Sequence, residues 1–135
     1  MNPSSTNNKY QSSHISTNKL HQLWWQFHQL IESEKNIWLD PPNISQLCQQ
    51  LDTNQKYLSQ TINQATGLTI VSLFHCYRIE LFLQKLKNGE AQLKTMEGLL
   101  NETGFQNRSS FYRAFKNFIG IHPTEFIRKL REQNQ

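Results

Sequence analysis

The sequence predicts an all-α fold of about seven helices, arranged as two helix-turn-helix motifs joined by a long bridging helix. Two observations predict this fold. Residues 47–67 and 99–120 are two versions of one pattern, and apolar side chains recur at helical spacing along most of the chain with no convincing strand. In each copy a short apolar helix leads through a tight turn to an amphipathic helix that ends at glycine, which is the helix-turn-helix pattern.

The two copies align position by position. A shift of 52 residues places Leu47 on Leu99, and after one inserted residue a shift of 53 places Gly67 on Gly120. A local repeat also fits a purely structural helical array. The charges favour a different role, because 14 Lys and Arg against 10 Asp and Glu give a net charge of +4, which favours an acidic partner if the charge is concentrated.

The first 18 residues are almost all Ser, Thr, Asn and Gln, and they predict a disordered tail ahead of a domain that spans residues 19–135. Apolar residues at helical spacing predict the first helix over 19–35, which ends before the two prolines of WLDPPN. Its apolar stripe normally belongs to a core and is also a candidate for a weak dimer contact, so we expect a monomer or a weak dimer. The stripe consists of Leu20, Leu23, Phe27 and Leu30.

The first copy contributes a short helix over 44–51, with Asn43 as a plausible N-cap, and a second helix over 54–65 after the turn Asp52-Thr53-Asn54. Apolar positions that include Tyr77 and Leu81 predict the longest helix over 69–88, which bridges the two copies.

The second copy predicts helices over 94–102 and 107–118, closed by Gly120. His122-Pro123 opens the last helix, with proline in the first turn, where its missing N–H costs little.

The helix over 107–118 carries the strongest functional signal. Phe111, Phe115 and Phe118 share one face, which we expect to point to the core, and the residues from 105 to 119 hold three positive charges and no acid. Because arginine pairs bidentately with guanine, this helix predicts contact with double-stranded DNA. We expect base contacts from Arg108, Ser109 and Arg113, and phosphate contacts from Asn107, Tyr112 and Lys116.

The equivalent helix of the first copy, over 54–65, is less charged. Its predicted base contacts are Lys56, Ser59, Gln60 and Asn63, of which only Lys56 is charged. Amide side chains pair well with adenine, so this helix is suited to an A·T-rich segment. We expect the second copy to supply most of the electrostatic affinity and the first to add modest selectivity.

Three further residues are candidate phosphate contacts. Ser45 and Thr95 lie in the first turns of the two leading helices, where free N–H groups attract phosphate, although for each residue alone simple capping or first-turn solvation is the favoured explanation. Arg78 lies in the middle of the long helix, where it either reaches DNA or pairs with a nearby carboxylate.

Residues 23–131 resemble the DNA-binding domain of the AraC/XylS family of transcriptional regulators. The resemblance is carried by YRIE at 77–80, GF at 104–105, SSFYRAFKNFIG at 109–120 and HPTEFIRK at 122–129. It implies two recognition helices that enter adjacent major-groove segments on one face of the DNA. It also implies a bacterial transcription regulator, usually an activator that contacts RNA polymerase.

The chain departs from the family pattern at several positions. Cys48 and Leu100 stand where a small residue is usual, and Asp52 stands where the first turn usually has glycine, although aspartate tolerates a left-handed backbone. No basic residue lies near Gln60, where the family usually has one. Longer members carry a sensor domain ahead of this unit, so the chain is either a stand-alone regulator or the output domain of a larger sensor.

Other functional classes find little support. No histidine set has metal-ligand spacing and no catalytic constellation appears, so we expect no enzyme and no cofactor. Cys48 and Cys76 are predicted to be buried, reduced thiols, and Trp24, Phe27 and Trp38 to be core residues. With no apolar stretch of about 20 residues, we expect a cytoplasmic protein without membrane contact. The rival function is a protein-interaction module or anti-activator that keeps the fold and has lost DNA reading.

Overall fold

A computed structural model describes residues 16–33, 42–90 and 94–133. Within this described part the secondary structure is helical, and the predicted all-α class with about seven helices is confirmed. The helices are α1 (Thr17–Ser33), α2 (Ile44–Gln50), α3 (Gln55–Thr66), α4 (Ile70–Lys87), α5 (Met96–Glu102), α6 (Arg108–Ile119) and α7 (Pro123–Gln133).

The predicted helix bounds differ from the observed ones by one or two residues. The predicted tail ends inside α1, because Thr17 and Asn18 are already helical, while residues 1–15 and the predicted core residue Trp38 lie outside the described residues. The chain divides into two compact units: the first holds α1, α2 and α3, and the second holds α4 from Val71 onward with α5, α6 and α7.

In the first unit, α3 packs against both α1 and α2. Of the apolar stripe of α1, Leu20, Leu23 and Phe27 are buried, whereas Leu30 is half-buried. A weak dimer contact through this helix stays a prediction. The exposed side of α1 carries Trp25, which is 60% exposed.

The core of the second unit is built largely from aromatic rings. The Phe111 ring centroid lies 4.7 Å from that of Phe82 and 5.3 Å from that of Phe105, and Phe115 lies 5.4 Å from Phe126. Such pairs each add about 0.5–1.5 kcal/mol beyond the burial of their area. Leu100 packs into the same cluster, so the large residue at this position is accommodated.

Arg78 belongs to this core and is 0% exposed. The carbon at the centre of its guanidinium lies 5.8 Å from the Phe74 ring centroid and 5.7 Å from that of Phe105. The predicted phosphate contact is therefore wrong, since a fully buried side chain does not reach DNA. The reason is the position of the buried stripe on α4, which follows Phe74, Arg78 and Phe82 at i, i+4 and i+8, one position away from the predicted Tyr77 and Leu81.

A charged network joins the end of α4 to α5. The ammonium of Lys85 lies 3.0 Å from a carboxylate oxygen of Glu102, and that of Lys94 donates hydrogen bonds to Glu102 at 2.8 Å and to Glu90 at 2.7 Å. The hydrogen bond from Lys94 is the main cause that lowers the pKa of the Glu102 carboxyl, and the same residue lowers the pKa of Glu90. The network holds the first helix of the second repeat against the end of α4.

Candidate nucleic-acid interface

The two repeats fold into the same local structure. Helices α2 and α5 both have seven residues, at an offset of 52, and helices α3 and α6 both have twelve, at an offset of 53. Asparagine caps both of the longer helices: Asn54 accepts a hydrogen bond from the Tyr57 N–H at 2.8 Å, and Asn107 accepts one from the Ser110 N–H at 2.8 Å. The repeat predicted from the sequence is thus confirmed at the level of helices and caps.

The turns and helix ends also correspond. Asp52 has φ +51° in the first turn and Gly104 has φ +89° in the second. The left-handed backbone disfavours most side chains, but aspartate tolerates it better than most, as predicted. Gly67 and Gly120 both end their helices in this conformation, with φ of +76° and +97°.

Helix α6 presents a basic face opposite its buried side. Ser109, Arg113 and Lys116 are exposed and follow i, i+4, i+7 spacing, so they form one stripe along the helix. Phe111 and Phe115 are both 0% exposed on the other side. Among the residues that the structure describes, neither Arg113 nor Lys116 forms an ion pair, which leaves both cations available to an external anion.

Phe118 does not belong to the core as predicted, because it is 38% exposed. The stripe of α6 that faces the core runs from Phe111 through Phe115, both buried, to the partly buried Ile119, at i, i+4 and i+8. Phe118 lies beside this stripe in the last turn of the helix.

Arg108 lies in a different environment from Arg113. One of its terminal nitrogens, Nη2, donates a hydrogen bond of 3.1 Å to Oε1 of Glu97 in the first turn of α5. Its guanidinium also lies 6.0 Å from the ring centroid of Tyr112. The contact with Glu97 was not predicted from the sequence, because Glu97 precedes Arg108 by eleven residues and the equivalent position in the first repeat, Ser45, is uncharged.

Tyr112 is less exposed than expected. It is half-buried, with its ring centroid 4.6 Å from that of His122 and 5.7 Å from that of Phe111. Its predicted phosphate contact stays a prediction. Its ring packs between Phe111 of α6 and His122, the residue that precedes α7.

On the first repeat, Lys56, Ser59 and Asn63 follow i, i+3, i+7 spacing on α3, with Lys56 and Asn63 exposed and Ser59 half-buried. Gln60 was predicted beside them, and this prediction is wrong because Gln60 is only 6% exposed. Its amide oxygen has no hydrogen-bond partner among the described residues.

The reason for the burial of Gln60 is the width of the buried face of α3. Leu58, Gln60, Thr61 and Ile62 are all buried, and at about 100° per residue they occupy more than half of the helix circumference.

The N-termini of α2 and α5, the first helices of the two repeats, are capped by side chains. The Thr95 hydroxyl accepts a hydrogen bond of 3.1 Å from the Gly98 N–H, which is the capping alternative for this residue. Ser45 is exposed in the first turn of α2, whose N-cap is Asn43, as predicted. Phosphate contacts from Ser45 and Thr95 stay predictions. At the start of α7, Nδ1 of His122 accepts a hydrogen bond of 3.3 Å from the Thr124 N–H and so serves as its cap.

Both cysteines are free thiols. Cys48 is buried as predicted, whereas Cys76 is half-buried. Burial raises the pKa of both thiols, and the charge of Glu80 raises that of Cys76 further. A raised pKa keeps a thiol protonated and weakly nucleophilic.

Within residues 16–33, 42–90 and 94–133, no group of three or more His, Cys, Asp and Glu side chains is placed to hold a metal ion. None of the helices described is long and apolar enough to cross a membrane.

The comparisons with known proteins agree with this geometry. The sequence model of a family described as a helix-turn-helix domain matches residues 47–129, which include both repeats. The chain is 25% identical over 104 residues to the transcriptional regulatory protein HptR of Staphylococcus aureus strains NCTC 8325, MSSA476 and MRSA252, and each match covers 77% of this chain and 40% of the relative. No solved structure gives a significant match. With two capped helix-turn-helix repeats and a family match over more than half of its length, the chain belongs to the AraC-type helix-turn-helix family.

Proposed function

We propose that this chain is a sequence-specific regulator of transcription that binds double-stranded DNA through both repeats. The exposed stripe of Ser109, Arg113 and Lys116 on α6 carries the proposal. A guanidinium and an ammonium on one helix face, with no intramolecular ion pair in the described structure, suit guanine edges and phosphates in a major groove. The HptR relatives, of which the chain spans 40% of the length, are transcriptional regulatory proteins, and this similarity supports the same function.

We assign the two repeats different tasks. Arg108, Ser109 and Arg113 read bases from α6, while Lys116 and Asn107 contact phosphate. On α3, Lys56, Ser59 and Asn63 form the corresponding contact surface, and Gln60 is left out of it because of its burial. The shared lengths and caps of the two repeats support insertion of α3 and α6 into adjacent major-groove segments. Contact with RNA polymerase stays an expectation from the family resemblance.

A protein-interaction module is the second candidate. It is favoured by Trp25, a large aromatic side chain that is 60% exposed on α1, because tryptophan is enriched at protein interfaces. This role does not require the basic stripe on α6, so the two functions predict different responses to the loss of Arg113.

The test begins with selection of binding sites from random duplex DNA by the purified protein at about 0.15 M salt, a concentration at which unspecific binding is already weakened. An enriched site with a G·C-containing box and a second box about one helical turn away supports use of both repeats. A single enriched box means that only one repeat reads bases. No enrichment from folded protein argues for the interaction module.

The second step compares two arginine variants on the selected site. Arg113→Ala is expected to weaken binding by about 10- to 100-fold, because one bidentate guanine contact discriminates by about 1–3 kcal/mol. Arg131→Ala is the matched control, since it removes an exposed arginine of α7 outside both repeats. Equal losses in the two variants would argue that net charge, and not reading by α6, drives binding.

A further inference from the structure

Glu97 lies where a negative charge is unfavourable for a DNA-binding surface. Its side chain is 76% exposed, and its carboxylate contacts the first residue of α6, a helix that contains no acid. A carboxylate beside bound DNA repels phosphate, so by itself it reduces affinity. Because the charge of Glu97 opposes DNA binding, its contact with Arg108 is the feature that a functional role has to explain.

The contact restricts the Arg108 side chain without using all of its donors. Nη2 of Arg108 is held 3.1 Å from Oε1 of Glu97, and the guanidinium lies 6.0 Å from the Tyr112 ring centroid. A guanidinium has five N–H donors, so one bond to Glu97 leaves a pair of donors for the O6 and N7 of guanine. Because arginine loses rotamer freedom when it is fixed, a side chain that is already restrained loses less on binding.

The carboxylate also affects which DNA groups Arg108 meets. A mobile, half-exposed arginine is attracted to the nearest phosphate, a contact that carries no sequence information. The negative charge of Glu97 beside the guanidinium weakens that attraction and leaves the shape-dependent contact with guanine. Arg113 has no carboxylate partner in the described structure, so the two arginines of α6 differ in this respect.

We infer that Glu97 is a specificity-determining positioning residue, which restrains Arg108 for reading guanine and disfavours its binding to phosphate. This inference rests on the proposed function. The inference gives helix α5 a role in base selection, because Glu97 of α5 acts on the bases through Arg108 of α6.

The experiment compares Glu97→Gln with Glu132→Gln. Glu132 is the matched control because it is an exposed carboxylate that pairs with an arginine, Arg128, at 2.8 Å within α7. For each protein, affinity is measured for the selected site and for a duplex of unrelated sequence at one salt concentration. We expect Glu97→Gln to lower the ratio of specific to unspecific affinity about tenfold, chiefly by raising unspecific affinity, and to relax the selected sequence at one guanine. Glu132→Gln is expected to change the ratio less than twofold.

A second pair of variants tests whether Glu97 acts through Arg108. In an Arg108→Ala background, Glu97→Gln is expected to leave the specificity ratio unchanged, because the side chain that it restrains is gone. If Glu97→Gln instead keeps the selected sequence and the ratio of the unmodified protein, Glu97 is an ordinary surface carboxylate and the inference is overturned. If the unmodified protein selects no sequence at all, the proposed function fails first and this inference fails with it.

Discussion

Gln60 of the first repeat and Arg113 of the second occupy equivalent positions, 53 residues apart, on helices of the same length with the same kind of cap. Gln60 is 6% exposed, whereas Arg113 is exposed on the basic face of α6. Helices α3 and α6 thus have the same length, the same N-cap residue and a glycine at the end, but they differ in which of their faces is buried. Equivalence in a repeat predicts the position of a residue along a helix but does not predict its burial.

The cores of the two repeats differ as well. In the second repeat Phe111 and Phe115 stand where the first has Leu58 and Ile62, and all four side chains are 0% exposed. The outer faces differ in charge, with Lys116 on α6 at the position of Asn63 on α3. The second repeat therefore combines an aromatic core with a surface that carries Arg113 and Lys116, and the first combines an aliphatic core with a surface on which only Lys56 is charged.

The largest effect is expected for the aromatic core. Phe111→Ala should lower the free energy of unfolding by about 4 kcal/mol, because it removes a fully buried ring and leaves a cavity, while Leu58→Ala at the equivalent position should cost about 3 kcal/mol. Denaturant titration measures both. Phe118→Ala on the same helix is the control and should cost under about 1 kcal/mol, since that ring is partly exposed. Equal costs for Phe111 and Phe118 would contradict the observed difference in burial.

The second largest effect is expected at Gln60 and tests whether this side chain is buried in solution. Replacement by arginine, which copies the second repeat, should lower the free energy of unfolding by about 3 kcal/mol, because it places an uncompensated charge at a buried position. Gln60→Met, of similar size and without a buried amide, should change stability by less than about 1 kcal/mol. Thermal and denaturant unfolding give the comparison. A stable Gln60→Arg protein that binds DNA more tightly would show that the position is open in solution.

A smaller effect, on DNA binding, is expected to distinguish the exposed face of α6 from that of α3. Lys116→Ala should weaken DNA binding uniformly across sequences and reduce the slope of log K against log salt by about 0.9, as expected for the loss of one phosphate contact. Asn63→Ala, at the equivalent position, should leave that slope unchanged and alter the preference at a single base pair. Affinities at several salt concentrations on matched and mismatched sites measure both. The division of tasks fails if the two variants have the same salt slope.

The smallest effect concerns pH and the charged network, which has no counterpart in α2 because that helix has no charged residue. The pKa of Glu102 is lowered from 4.5 mainly by the hydrogen bond from Lys94. A lowered folded-state pKa adds stability above the unfolded-state value, and this stability is lost as pH falls below about 4.5 through the folded-state value. Lys94→Met should therefore lower stability at pH 7 more than at pH 3.

The control for the network is Lys129→Met, which removes a lysine that lies 3.5 Å from Glu125 within α7. Denaturation midpoints at the two pH values give the comparison. If Lys94→Met lowers stability equally at both pH values, the carboxylates do not depend on Lys94 for their ionised state.

Much of the fold was predictable because it depends on local spacing. The helix bounds were predicted within two residues, and the Asn43 cap and the left-handed Asp52 were predicted from side-chain preferences. Less of the candidate site was predictable. Arg78 was assigned to phosphate on the basis of its charge, yet it lies in the stripe between Phe74 and Phe82, where the packing of α4 buries it.

The sequence by itself determined the repeat, the all-α class, the order of the helices, and the basic face of α6, because these follow from the spacing of apolar and charged residues along single helices. Only the tertiary structure decided that Gln60 and Arg78 are buried, that Phe118 is partly exposed, and that Glu97 contacts Arg108. The physical reason is that the burial of a residue at the border of an apolar stripe, and the partner of a charge eleven residues away, depend on other helices. The periodicity of one helix contains no information about its neighbours.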